Sequence, residues 1–314
     1  MRYRQLGTHG PLVSELGYGA SPLGGSYGGF AEKAGIEAVH AALDAGITFF
    51  DVAPYYGLTA AETVLGKALR GIDRDRYVLA TKVGRYGDQV FDFSAGGMTR
   101  SIQDSLARLG TDHVDLIQCH DIEFGSLDQV ASETIPALRA VQDAGLVRGV
   151  GITGYPLPAL AYIAARAPVD TVMSYCQYTL QDRRFGACVK EFAVAGAATI
   201  NASPLAMGAL TSRGAPPWHP APRGVLARCA QAAAACQERG ADLAKLALQF
   251  SVTTSPCVST VVGSASPANV RRNIAWIEEP LDDDLLACIE AILAPVRDQG
   301  WVNGRAGNQN PREH

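Results

Sequence analysis

At 314 residues, with 47% hydrophobic and 18% charged residues and a formal net charge of −4, the chain can bury a large core and has no basic excess. That balance argues against a nucleic-acid partner, whose phosphates would need clustered Lys and Arg to neutralise them. No apolar run is long enough to span a bilayer, and residues 1–10 hold two arginines without an apolar core, so no membrane partner and no secretory signal are expected. The expectation is a soluble, cytoplasmic protein.

Residues 3–16 place short apolar pieces on either side of Gly7-Thr8-His9-Gly10, the pattern of a β-hairpin. Residues 16–20 read as a first strand. Gly24, Gly25, Gly28 and Gly29 then form a loop that is flexible or admits a ligand close to its backbone, and it lacks the Gly-Lys-Ser/Thr of a phosphate-binding loop. From there strand and helix alternate. Strands are expected at 47–50, 77–83, 114–119, 147–153, 171–176, 198–200 and 260–263. Helices are expected at 34–45, 60–69, 98–109, 131–144, 157–165, 186–194, 224–238, 241–252 and 267–274, with 281–293 as an added C-terminal helix. Eight short apolar strands alternating with helices predict a single (β/α)₈ barrel domain over the whole chain. A doubly wound sheet is the alternative, but no Gly-x-Gly-x-x-Gly joins a first strand to a helix.

The seven cysteines, Cys119, Cys176, Cys188, Cys229, Cys236, Cys257 and Cys288, contain no Cys-x-x-Cys pair. They read as small buried hydrophobes in a reducing compartment, and no metal site is expected. Arg183-Arg184 and Arg271-Arg272 read as solvated faces or anion contacts.

Barrels carry their chemistry at the C-terminal ends of strands. The apolar run 47–50 stops on Asp51, and Pro54 and Gly57 then turn a loop that carries Tyr56. A carboxylate there either caps its own turn or pairs with a cation. Lys82 and His120 stand at the ends of the next two strands. Each residue alone has a plain reading as a solvated lysine, a core histidine or a packing tyrosine. Together they make proton-transfer machinery. A phenol titrates near 10, and a neighbouring ammonium stabilises the phenolate; a lowering of about two units corresponds to about 2.7 kcal/mol. Asp51 would keep Lys82 charged, and His120 would hydrogen-bond the reacting oxygen, the proton step that accompanies hydride transfer.

Asp-x-Ala-x-x-Tyr-Gly at 51–57, the strand lysine and the strand histidine resemble the catalytic tetrad of the aldo-keto reductases. The resemblance covers nearly the whole chain. It implies a barrel that binds NAD or NADP extended, with Asp51, Tyr56, Lys82 and His120 as the tetrad and Tyr56 as general acid/base. By the same resemblance Thr153 and Gln177 lie at the nicotinamide carboxamide. Ser203, Leu205 and Gly208 lie at the pyrophosphate, and Gly263, Ser264, Asn269 and Asn273 at the adenosine end. Two departures stand out: Thr153-Gly154 replaces the family's common Ser-Asn, and Ala202 stands where an aromatic usually stacks on nicotinamide.

The stretches His120-Asp121-Ile122-Glu123-Phe124-Gly125, Gly151-Ile152-Thr153-Gly154, 202–208, Trp218-His219-Pro220 and the tail with Pro295-Val296-Arg297, Trp301 and Gly304 resemble members of that family that oxidise sugars. This implies NAD-dependent oxidation of a free aldose at C1 to a lactone, with His120 and Asp121 meeting the sugar. Asp121 has a second reading as a cap of its own loop. NAD is expected over NADP, because Gly263, Ser264 and Asn269 lack the cations that hold a 2′-phosphate elsewhere in the family. The alternatives are an NADPH-dependent carbonyl reductase of another small aldehyde or ketone, and a non-catalytic, cofactor-sensing regulatory subunit.

Overall fold

The computed structural model describes residues 1–7, 10–25 and 28–311. Two short strands, β1 (Tyr3–Gln5) and β2 (Leu12–Ser14), pair antiparallel as the expected hairpin; Thr8 and His9 of its turn lie outside the described residues. Then come β3 (Leu16–Gly19), α1 (Glu32–Asp44), β4 (Phe49–Asp51), α2 (Ala60–Leu69), β5 (Val78–Val83), α3 (Ala95–Leu109) and β6 (Val114–Cys119). The second half holds α4 (Leu127–Gln129), α5 (Ile135–Asp143), β7 (Val147–Gly154), α6 (Leu157–Ala164), β8 (Thr171–Tyr175), α7 (Arg184–Val194) and β9 (Ala198–Ala202). It ends with α8 (Arg223–Glu238), α9 (Leu243–Thr253), β10 (Ser259–Gly263), α10 (Pro267–Glu278) and α11 (Asp283–Leu293). Strands β3 to β10 are parallel and close into a barrel, with β10 bonded to both β3 and β9. The helices surround it, and α11 is the added helix, packed on α8.

Alternation along the strands sorts the residues. Phe49, Val78, Ala80, Leu116, Met173, Ile200 and Val261 form a separate inner core, sealed at the N-terminal end by Leu6 and Val13 of the hairpin. Their odd-phase neighbours Phe50, Leu79, Val83, Ile117 and Cys119 face the helices. Continuing the inward phase one pleat further reaches Asp51, Lys82 and Gln118, so the same period of two that fills the core lines the mouth with polar groups.

Some boundaries differ from expectation for local reasons. Ile47 belongs to the exit of α1: its N–H bonds to Ala42 O after the left-handed Gly46, and pairing starts only at Phe49. The single helix expected at 131–144 is interrupted by a π segment over Val130–Thr134. Pro136 follows with no N–H to return to the preceding turn, which removes a ladder bond there. Helix α3 starts earlier than periodicity suggested, because the Ser94 hydroxyl caps it by accepting from Gly97 N–H.

Candidate active site

The loop after β4 is positioned by backbone contact. Gly57 has φ 62°, and a side chain there would clash with Gly24 O at 2.2 Å; one at Gly24 would meet Gly57 N at 2.6 Å. The Gly24 loop therefore approaches another backbone, and it wedges the Tyr56 turn against the 3₁₀ turn Ser21–Gly24.

Asp51, Tyr56, Lys82 and His120 come together. Lys82 Nζ donates to Asp51 Oδ2 at 2.6 Å, to Val52 O at 2.9 Å and to Tyr56 Oη at 3.2 Å. Lys82 is 1% exposed and Asp51 4%. Three acceptors compensate the burial of this ammonium. Gln118 Nε2 donates to Asp51 Oδ1 at 3.0 Å, so both carboxylate oxygens are held. The His120 ring meets the Tyr56 ring edge-on, with centroids 5.7 Å apart and planes at 86°. Burial lowers the imidazole pKa to about 3, against the pull of Asp121, so His120 is neutral at physiological pH.

The Tyr56 phenol corrects an expectation. Burial pushes it well above its ordinary value, and Asp51 and Asp121 add to the rise, with Arg85 opposing. A lysine at 3.2 Å does not outweigh desolvation in the free protein.

Asp121 is not a cap. It sits in left-handed backbone at φ 52° ahead of the turn Ile122–Phe124, and its side chain makes no capping bond. Its Oδ2 instead accepts from Arg85 Nη1 at 2.5 Å, and it stands 3.7 Å from His120 Nε2. Arg85 was not singled out from the sequence, although it follows Lys82 by three residues at the end of a buried strand. Its Nη2 donates to Tyr55 Oη at 3.1 Å, and its guanidinium lies 3.9 Å from the Tyr55 ring centroid. Gln118 was missed as well, though it stands two residues before His120 in the inward phase.

The remaining expected residues line the same rim. Thr153 Oγ1 accepts from Asp121 N–H at 3.1 Å, so it fixes the loop that carries Asp121. The Ser174 hydroxyl donates to Gln177 Oε1 at 2.6 Å and orients that buried amide. After β9, Ser203, Ala206, Met207 and Gly208 have φ of 55°, 46°, 48° and 99°. Leu205 between them has φ −91°, and the turn is closed by its own amides: Ala206 N–H donates to Ser203 O, and Gly208 and Leu210 N–H donate to Leu205 O. After β10, Gly263 is exposed, and Ser264 is held by Tyr18 Oη donating to its carbonyl at 2.6 Å. Asn269 stands in the first turn of α10, where Ser266 caps its N–H, and Asn273 is buried one turn on. The tight turn after β9 and the N-terminus of α10 after β10, whose dipole favours negative charge, are where the diphosphate and adenosine of an extended dinucleotide would lie.

The C-terminal segment closes one side. Trp301 stacks on Tyr155 at 4.2 Å, Tyr155 lies 5.3 Å from Tyr175, and the His219 ring meets Trp301 at 5.7 Å. Asn303 Nδ2 donates to Glu123 Oε1 at 2.6 Å and to Tyr175 Oη at 3.0 Å, and Asn308 Nδ2 donates to Glu123 O and Gly125 O. Two shallow clefts lie elsewhere, one of about 400 Å³ beside Met1 and Glu15 and one of about 290 Å³ between Pro54 and α3. No helix among the described residues is long and apolar enough to cross a membrane.

Comparison with known proteins places the fold and the family. The chain is 44% identical over 310 residues to L-galactose dehydrogenase of Arabidopsis thaliana, covering 96% of this chain and 97% of that one. It is 30% identical over 317 residues to D-threo-aldose 1-dehydrogenase of a Pseudomonas species, covering 91% and 96%. Its fold matches the holo form of aldo-keto reductase AKR11C1 from Bacillus halodurans with a TM-score of 0.78 at 28% identity, over 98% of this chain and 99% of that one. The model of the aldo/keto reductase family matches residues 15–294. With its closed barrel and the Asp51–Lys82–Tyr56 chain at the mouth, the protein is an NAD(P)-dependent oxidoreductase and belongs to the aldo/keto reductase family.

Proposed function

We propose that the protein oxidises a free aldose, L-galactose or a similar sugar, at C1 to its lactone, with NAD as hydride acceptor. The observation that carries this reading is the Asp51–Lys82–Tyr56 chain opening beside a carboxylate, Asp121, that is 5% exposed. Two similar proteins, an L-galactose dehydrogenase and an aldose 1-dehydrogenase, support the substrate class.

In the proposed reaction Tyr56 Oη takes the proton of the C1 hydroxyl. The phenol must first be ionised, and Lys82 is the cation placed to hold the phenolate. Asp51 balances the ammonium, and Gln118 fixes Asp51. His120 donates a hydrogen bond to the reacting oxygen. A nicotinamide bound there would supply the acceptor for the C1 hydride. Gln177 and Thr153 would meet its carboxamide, Ser203, Leu205 and Gly208 its diphosphate, and Gly263, Ser264, Asn269 and Asn273 the adenosine. Asp121 selects a sugar: one oxygen holds Arg85, and the other accepts a hydroxyl that an apolar substrate lacks, so an apolar substrate would desolvate that oxygen without giving it a hydrogen bond, at a cost of about 1–3 kcal/mol.

NAD preference rests on charge. No lysine or arginine stands at Gly263, Ser264 or Asn269, and Arg272 of α10 is engaged 4.8 Å over the Trp276 ring, which supports NAD. The test is a panel of free aldoses with NAD and NADP, followed at the absorbance of the reduced nicotinamide. Steady turnover of an aldose, with higher kcat/KM for NAD, is expected. No oxidation of any aldose refutes the sugar reading, and higher kcat/KM with NADP refutes the cofactor reading.

A further inference from the structure

The group that ties the mouth together is Arg85, which no comparison singles out. It sits on the loop after β5, yet both of its Nη atoms bind other loops. Nη1 donates to Asp121 Oδ2 after β6 at 2.5 Å, and Nη2 donates to Tyr55 Oη after β4 at 3.1 Å. Its plane is covered by Tyr55 at 3.9 Å and Phe124 at 5.0 Å, so the guanidinium is fixed by stacking as well as by hydrogen bonds. Tyr55 is anchored in turn by donating to Asp88 Oδ1 at 2.9 Å. The residues adjoining these two anchors are Tyr56 and His120.

His120 has a definite electrical setting. The Tyr55 and Tyr56 rings face it edge-on at 5.9 and 5.7 Å, and Asp121, Lys82 and Arg85 are the charged groups around it. Its Nδ1 is buried with no hydrogen-bond partner, and its Nε2 lies 3.7 Å from Asp121 Oδ2. A proton on Nδ1 would be a buried donor with nothing to bind, and it would leave the Nε2 lone pair facing a carboxylate. A proton on Nε2 removes both costs.

We propose that Arg85 is a positioning residue: by joining Tyr55 to Asp121 it holds the His120 ring against Tyr56 as a neutral imidazole whose proton stands on Nε2, toward the reacting oxygen. The carboxylate sets the tautomer. The guanidinium cancels the carboxylate's charge, so that the imidazole is not drawn into taking a second proton. Burial and the two cations act in the same direction on this ring, and Asp121 alone opposes them. The role given to the Nε2 proton rests on the proposed oxidation; the state of the ring does not.

The experiment titrates the His120 imidazole by nitrogen NMR in the whole protein without substrate. In the wild type the ring stays neutral to below about pH 5. In Arg85→Leu, Asp121 is uncompensated and the imidazole midpoint rises by about one pH unit or more. In Arg85→Leu/Asp121→Asn both charges are gone and the midpoint returns to the wild-type position. A titration curve in Arg85→Leu that superimposes on the wild type overturns the proposal, and so does a shift that persists in the double variant. Arg85→Lys keeps the charge and loses the fork. There the ring titrates as in the wild type, and kcat falls several-fold with KM for the aldose little changed; wild-type kcat in that variant overturns the bracing. The NMR curves need no turnover, so a protein that oxidises no aldose leaves this result standing and refutes only the reaction.

Discussion

Two of the buried carboxylates with cationic partners, Asp115 and Asp51, lie at opposite ends of the barrel, and they are built differently. Asp115 begins β6 at the N-terminal end. Its Oδ2 accepts from Arg74 Nη2 at 2.5 Å and from Leu79 N–H at 2.8 Å, and its Oδ1 accepts from Arg148 Nη1 at 3.1 Å. Two partly exposed arginines and a strand amide saturate it. Asp51 ends β4 at the C-terminal end, and its partner Lys82 is almost wholly buried. The Lys82 ammonium reaches past Asp51 to a phenol whose own proton has no acceptor among the described residues. A saturated cluster has nothing left to exchange and serves as a tie between strands. The chain at Asp51 ends on a phenolic proton free to be exchanged, which is what the proposed proton transfer requires.

This contrast is broken most sharply at Tyr56. Tyr56→Phe removes the open end and neither donor to the aspartate. Turnover of the aldose is expected to fall by roughly 10²–10⁴ with nearly unchanged thermal stability. Wild-type kcat in that variant would remove Tyr56 from proton transfer. Asp115→Ala does the opposite. It leaves the Leu79 amide buried without an acceptor and two arginines without their anion, a loss of about 2–4 kcal/mol. Denaturant unfolding reads that loss directly, and kcat of the folded enzyme should stay at its wild-type value.

The same contrast governs what could be read from the sequence. The barrel was legible because its signals are local: runs such as 78–83 and 114–119 are wholly buried strands bounded by helices of clear period. Asp51, Lys82 and His120 were legible because each ends such a run, and a polar residue in the inward phase of an apolar strand stands out. Gln118 obeys the same rule and was overlooked inside its strand. Arg85 was not legible, because its partners sit on two other loops, and nothing local distinguishes a guanidinium that stacks on Tyr55 from a solvated one. The phenol's titration was misjudged for a related reason. Sequence places the ammonium beside it, but only the packed structure shows how much water both have lost. Glu123 is the extreme case, since it meets Asn303 across 180 residues of chain.

Glu123 also yields the subtlest expected effect. Its side chain is fully buried; Oε1 accepts from Tyr155 N–H at 3.0 Å and from Asn303 at 2.6 Å, and Oε2 has no partner. Burial, with Asp121 nearby, pushes its pKa up to about 8, so it is a neutral acid in the folded protein at pH 7. The unfolded chain ionises it near its ordinary value of 4.5. Between those values the folded state holds a proton that the unfolded state has released, so stability declines as pH rises through this window, by at most about 1.4 kcal/mol per pH unit. The stabilising contribution is fully present below pH 4.5 and spent above about 8. Glu123→Gln keeps the Oε1 acceptor and the size of the group but cannot ionise. Its stability should therefore match the wild type at pH 4 and exceed it at pH 8.5, with the gap opening between. The C-terminal segment that Asn303 and Asn308 fasten to this residue should show the same gap as slower amide exchange in the variant at high pH. Parallel stability curves for the two proteins from pH 4 to 8.5 would mean that Glu123 is ionised when folded and that its unpartnered oxygen is hydrated.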